Sequence, residues 1–210
     1  MPAIVFHEVA HGYAAYRLGD PTAKSQGRLS LNPLAHVDLF GTILLPGLLM
    51  LMNGPIFGYA KPVPYNPTYF KDIRKGEAIV GLAGPLANLI MATLAGVVAW
   101  LLYPWAYELV SKSELFVWFY LGFLPMFAMI NLYLMVFNLL PIPPLDGSSI
   151  IAPFLSDKAL YKYYRVQQYA LPVLMIVLIA VPYFFHFNPI GIFLDLTAGN
   201  LANLLFPFPV

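Results

Sequence analysis

His7, Glu8 and His11 stand together in His7-Glu8-Val9-Ala10-His11. On a helix, positions i and i+4 share one face, so both imidazoles can reach a single metal ion. Glu8 projects beside the pair, where a carboxylate can hold a metal-bound water and take its proton. A lone histidine on an apolar face is usually a packed core residue. Two histidines and a glutamate in a segment apolar enough for lipid are costly to bury, and such groups mark function. A catalytic zinc needs a third protein ligand and keeps one position open. His36, His186 and the few acids near apolar spans are candidates. The best acid is Asp146, in Asn138-Leu139-Leu140-Pro141-Ile142-Pro143-Pro144-Leu145-Asp146-Gly147. It directly follows an uncharged run and a proline break, and Gly147 lets the backbone turn so that the carboxylate points back. In isolation, Pro144-Leu145-Asp146-Gly147 would read as an ordinary polar turn.

These residues need a scaffold, and composition says which solvent it faces. Of 210 residues, 60% are hydrophobic and 10% charged, against roughly 25% charged in a soluble domain. The chain is read as one membrane-embedded domain, 1–210, with its core in about residues 1–150 and C-terminal helices over 166–207. A net charge of +1 provides no basic field for nucleic acid. With no cysteine, disulfides, thiolate metal sites and cysteine nucleophiles are excluded. No basic n-region precedes the motif, so no cleavable signal peptide is expected.

Residues 1–18 read as a helix stopped by Gly19-Asp20-Pro21. Residues 22–38 are turn-rich, and the alternation Arg28-Leu29-Ser30-Leu31 predicts a short β-hairpin. Residues 39–60 are uncharged but broken by glycine and proline, which suits a re-entrant or interfacial segment. Residues 59–67 must be extended, because Pro62 and Pro64 forbid helix and confine any strand to an edge. Residues 78–103 and 115–140 are uncharged throughout and predict two spans, joined by a 104–114 loop. Residues 166–185 predict another, and 190–207, with Asp195 and Asn200, a half-helix or a last span. The expected fold is an all-α polytopic membrane protein of about five to six membrane helices or half-helices. A small β-hairpin and an extended edge segment lie between its first and third hydrophobic segments.

The pairing of His-Glu-x-x-His with Asn-x-x-Pro-x-x-x-Leu-Asp-Gly resembles the site-2 protease family of intramembrane metalloproteases. Gly84-Pro85-Leu86-Ala87-Asn88 looks like a third signature of that family. Gly27-Arg28-Leu29-Ser30-Leu31-Asn32-Pro33 and Ala60-Lys61-Pro62-Val63-Pro64 look like its compact bacterial-type branch, without PDZ or CBS domains. The resemblance covers roughly residues 4–150. It implies one Zn2+ per chain held by His7, His11 and Asp146, with Glu8 as general base. It also implies that Asn138 assists catalysis or substrate binding and that Asn88 helps shape the site. For Asn88, a hydrogen bond between helices is an equal alternative. Six residues precede His7, fewer than such proteins usually carry, so the expectation is either a truncated first helix or a misassigned start site.

Charge supplies a check on topology. If Asp146 is to meet the histidines, residues 39–60 must not cross the bilayer. Ten of the 11 basic residues (Arg17, Lys24, Arg28, Lys61, Lys71, Arg74, Lys75, Lys158, Lys162 and Arg165) then share one side, and Lys112 alone faces the other. Cytoplasmic loops are rich in Lys and Arg, which puts the metal toward the cytoplasm of a multi-pass cell-membrane protein. The expected substrate is a transmembrane segment of another protein, locally unwound. Residues 59–66, with Lys61 and Val63, could hold it by strand addition, or could be a plain connector. His36 and Asp38 read as a polar pair of the loop, His186 as an interfacial residue, and Tyr103, Trp105 and Trp118 as an aromatic belt. A transporter or metal-ion channel would also use intramembrane acids and histidines, but no internal repeat is visible. A catalytically idle scaffold is the third alternative.

Overall fold

In the computed structural model the described residues are 1–51 and 61–210. The first helix, α1 (Pro2–Arg17), begins on a proline, whose missing N–H costs nothing in a first turn. It ends at Gly19, whose φ of 107° only glycine adopts easily. Its 16 residues rise about 24 Å, short of a bilayer's hydrocarbon core of about 30 Å. A short α2 (Thr22–Ser25) follows. A π-helical turn, Leu39–Leu44, is capped by Asp38, which accepts from the Gly41 N–H, and runs into α3 (Leu45–Leu51). Residues 52–60, the rest of the anticipated re-entrant segment and the first two residues of the anticipated edge, lie outside the described residues.

The central element is α4 (Ile73–Lys112), capped by Asp72 through the Lys75 N–H. Its 40 residues would extend about 60 Å. It runs through Pro104 and takes in nearly all of the anticipated 104–114 loop. The Glu108–Lys112 ion pair, one turn apart, supports that last stretch. Only Ser113 interrupts the chain before the return span Glu114–Asn138, made of α5 (Glu114–Val117), a π-helical turn and α6 (Leu124–Asn138). A proline-rich break leads to α7 (Gly147–Ile151), which Asp146 precedes. The C-terminal part holds α8 (Asp157–Met175), α9 (Val181–Phe185), α10 (Pro189–Leu194) and α11 (Asn200–Leu205). The run Pro172–Phe185 meets Pro189–Leu205 at a bend of 107°.

The core is a seam of small residues. Ala92, Ala95 and Ala99 of α4 pack with Ala128 and Leu132 of α6 and with Ala198 and Ala202. Such residues let helix backbones approach closely where hydrophobic force between helices is weak. The Tyr120 hydroxyl closes the seam by donating to the Ala99 carbonyl at 3.0 Å. Outside the seam, large apolar side chains such as Leu101, Trp118, Phe123 and Met126 stand exposed, as they must on helices solvated by lipid.

Two features of the anticipated fold are corrected. No strand occurs among the described residues, so the β-hairpin is not formed. The backbone groups a hairpin would pair are taken by side chains. The Arg28 guanidinium donates to the Ala35 carbonyl and the His36 imidazole to the Ser30 carbonyl, while Asn32 caps a helical turn at Pro33–His36. Residues 61–66 are extended but pair with no strand. The count of five to six membrane elements is also too high. Among the described residues two helices, Ile73–Lys112 and Glu114–Asn138, are long and apolar enough to cross a bilayer, and the bent C-terminal pair brings the number to three at most.

Candidate metal centre

Helical spacing places His7 and His11 on the buried face of α1. Their Nε2 atoms lie 3.0 Å apart, with the rings at 84° to each other. Asp146, far along the chain, meets them at the mouth of the proline break. Its Oδ2 is 3.1 Å from His7 Nε2 and 3.3 Å from His11 Nε2. One reason it can do so is Gly147. A Cβ there would lie 2.3 Å from the Leu139 carbonyl oxygen, so only glycine lets the turn close on the end of α6. Among the described residues these three form the one group of ligand-type side chains close enough to share an ion.

The outward ring nitrogens settle which way the imidazoles face chemically. His11 Nδ1 lies 2.7 Å from the Val80 carbonyl oxygen, which can only accept, so Nδ1 carries the proton. His7 Nδ1 lies 2.6 Å from Asn88 Oδ1, and the Asn88 amide nitrogen is spent on Ala3 and Asn131. Both Nε2 lone pairs therefore converge with a carboxylate oxygen. Three electron-rich atoms this close repel unless a cation sits among them. The Asp146 Oδ2 atom is also buried with no hydrogen-bond partner. Two imidazoles and a carboxylate form a ligand set that zinc takes, and tetrahedral bonds of about 2.0–2.1 Å space ligand atoms roughly 3.3 Å apart. The residues present fit that ion.

Glycine forms the floor. A Cβ on Gly84 of α4 would come within 2.4 Å of His11 Nε2 and 2.6 Å of His7 Cε1. A Cβ on Gly81 would crowd the Asp146 carbonyl oxygen at 3.0 Å. The α4 backbone is thus pressed against the site along one helical turn, and Asn88 follows one turn further on.

Glu8 is held differently. Its Oε2 accepts from the Val63 N–H at 2.9 Å. Val63 belongs to the extended segment 61–66, a strap tied at both ends. Arg28 donates to the carbonyls of Lys61 and Pro62 at 2.8 and 3.2 Å, and Asn66 donates its N–H to Asp20 at 2.6 Å. The Lys61 N–H is given to the His36 carbonyl at 2.9 Å. The segment's N–H groups from 61 to 64 are therefore used within the chain or, at the prolines, missing. Asp20 has no solvent exposure. Burial pushes its carboxyl up, but donors from Thr22 and Asn66 outweigh burial and hold it below the usual carboxylate range.

Other residues singled out above lie apart from this cluster. Asn138 donates to the Leu134 carbonyl of its own helix at 3.0 Å and has no bond to the three ligand-type side chains. His36 is buried in the 28–36 loop. His186 is exposed, in a left-handed conformation at the end of α9. Sequence reasoning passed over Gly84, Val80 and Asn131. Gly84 stands in the Gly-Pro-Leu-Ala-Asn signature and Asn131 is a polar residue in an uncharged span, so each left a signal. The Val80 contact is made by backbone and left none.

Comparison with known proteins adds an independent view. The family model described as peptidase family M50 matches residues 106–181, a stretch that contains Asn138 and Asp146 but not His7, Glu8 or His11. A Bacillus subtilis (strain 168) protein named "Putative zinc metalloprotease YwhC" is 38% identical over 180 residues, covering 84% of this chain and 76% of that protein. A Mycolicibacterium smegmatis protein named "Putative zinc metalloprotease Rip2" is 29% identical over 211 residues, covering 96% of this chain and 76% of its own. No solved structure matches the chain.

Proposed function

The chain belongs to peptidase family M50, the site-2 protease family of zinc metalloproteases, and on that premise we propose that it hydrolyses peptide bonds in or beside transmembrane segments of other membrane proteins. One zinc per chain is held by His7, His11 and Asp146. The observation that carries this reading is the convergence of two imidazole Nε2 atoms and one carboxylate oxygen, with both outward ring nitrogens tied off.

Zinc, when bound, supplies a Lewis acid that brings the pKa of water down to about 7. Glu8 stands next to His7 with its Oε2 anchored on the Val63 N–H. It takes the proton of the attacking water and returns it to the leaving amine. Asn138 sits at the end of α6, in reach of a substrate entering through the proline break, and assists in holding it. Water reaches this depth because irregular backbone can line a wet cavity inside a membrane. A helical substrate hides its peptide carbonyls in its own hydrogen bonds, so it unwinds before it is cut.

Membrane topology follows the basic residues. Arg74 and Lys75 sit at the start of α4, and Lys112 at its far end. Because α6 returns Asp146 to the level of α1, the catalytic group shares the side rich in Lys and Arg, which is the cytoplasmic side of the cell membrane. The test is Glu8→Gln in purified protein. Zinc content should match the wild type while cleavage of a membrane-protein substrate is lost. A Glu8→Gln protein that still cuts would remove Glu8 from the mechanism.

A further inference from the structure

Asn131 lies in the middle of α6, fully buried, with hydrogen bonds to Asn88 and the Phe127 carbonyl rather than to the three ligand-type side chains. It stands instead in a chain of hydrogen bonds that runs one way. His7 Nδ1 donates to Asn88 Oδ1 at 2.6 Å, and Asn88 Nδ2 donates to Asn131 Oδ1 at 2.9 Å. Asn131 Nδ2 then donates to the Phe127 carbonyl at 2.8 Å. A second branch runs from Asn88 Nδ2 to the Ala3 carbonyl at 3.1 Å. The chain ties α1, α4 and α6 together in a region from which solvent is excluded.

An asparagine amide has nearly the same shape either way round, and only its partners decide which end faces where. Were Asn88 reversed, its NH2 would face His7 Nδ1. That nitrogen would then have to accept, and the ring proton would move to Nε2, where it would point into the metal site. What prevents this is that two acceptors wait for the Asn88 NH2. One of them, Asn131, is itself oriented by a backbone carbonyl that can only accept. The direction is thus set at two backbone carbonyls, Ala3 on Asn88 directly and Phe127 through Asn131, and reaches His7 through the Asn88 amide. Bonds aligned in this way also polarise one another and make the imidazole a better ligand.

We propose that Asn131 is a positioning residue for the metal site. It orients the Asn88 amide and thereby holds His7 in the tautomer whose Nε2 lone pair faces the ion. The inference rests on the reading that His7 is a zinc ligand, and its test separates the two.

Zinc affinity is measured by chelator competition on purified full-length protein. The set comprises wild type, Asn131→Leu, Asn131→Asp, Asn88→Ala, the Asn88→Ala/Asn131→Leu double variant, and His7→Ala as control. Leucine fills the space but cannot accept, and should weaken zinc binding roughly 10- to 100-fold. Aspartic acid keeps an acceptor facing Asn88 and should restore most of the loss. In the Asn88→Ala background, Asn131→Leu should add nothing, because the group through which it acts is gone. In the metal-free protein, the 15N resonances of His7 should shift in Asn131→Leu, while those of His11, held by Val80, stay in place. Wild-type affinity in Asn131→Leu overturns the proposal. So does an equal loss in the Asn88→Ala background, an Asn131→Asp protein no better than Asn131→Leu, or a His11 shift as large as that of His7. If instead His7→Ala binds zinc as well as wild type, the ligand assignment itself falls.

Discussion

One helix presents both halves of the candidate chemistry, yet the two halves are supported by opposite kinds of structure. His7 and His11 face inward and are pinned by one neighbouring helix, α4, through the Val80 carbonyl, the Asn88 amide and the Gly84 backbone. Glu8, one residue from His7, is held by a strap of extended chain between two prolines, itself tied down by Arg28 and Asp20. Helix packing is stiff and close, so it suits atoms that must share an ion at fixed distances. A strap is anchored by a few polar bonds, some of them on the surface, and can shift without unfolding the core. The lesson is that metal binding and proton transfer should be separable by mutation, each failing through its own support.

That separation can be broken or sharpened in order of expected effect. Glu8→Gln should lower the cleavage rate by about 10²–10⁴-fold at unchanged zinc content, read by substrate cleavage and metal analysis. Gly84→Ala should act on the other half. Its Cβ would sit within 2.4 Å of His11 Nε2, so the imidazoles must move, and zinc affinity should fall on the order of 10- to 100-fold. If Gly84→Ala instead bound zinc normally, the helix floor would not constrain the site.

Arg28→Ala, which frees the strap at Lys61 and Pro62, should lower kcat roughly tenfold, about 1.4 kcal/mol, with zinc retained. Gly12→Ala tests the same support from below, because its Cβ would meet the Val63 side chain at 2.6 Å. Loss of zinc from either variant would show that strap and metal centre are one unit.

The smallest effect concerns acid. Asp20 has a folded-state pKa below its ordinary value. Its contribution to stability is therefore present above the ordinary carboxylate pKa and is lost as pH falls through the depressed one. Asp20→Asn should flatten the acid side of a melting-temperature profile without changing the neutral side's slope. An unchanged acid limb would mean that Asp20 does not hold the strap.

Some of this was legible from the sequence for physical reasons. The uncharged runs of α4 and α6 announced themselves because lipid tolerates almost no charge. The four-residue spacing of His7 and His11 already put both rings on one face, since helix geometry allows nothing else. Asp146 could be singled out only by its place after an uncharged span and a proline break and by its motif, because an aspartate before a glycine is also what any surface turn contains. The hairpin failed because the alternation at Arg28–Leu31 was real but the pairing partners were not. Side chains of Arg28, Asn32 and His36 took the backbone groups instead, and such bonds leave no period in a sequence. The helical course of α4 past Pro104 was missed because a proline reads as a stop in a sequence, whereas here the helix runs on through it to Lys112. Asn131 could be seen but not interpreted. A buried amide shows its direction only when its neighbours are known.

The account depends most on Asp146 completing a metal site begun by α1. Zinc content of purified Asp146→Ala, beside wild type and after mild chelation, tests this directly. The prediction is close to one zinc per wild-type chain and a marked loss in the variant, with the helical fold unchanged. An Asp146→Ala protein that holds zinc as firmly as wild type would contradict it.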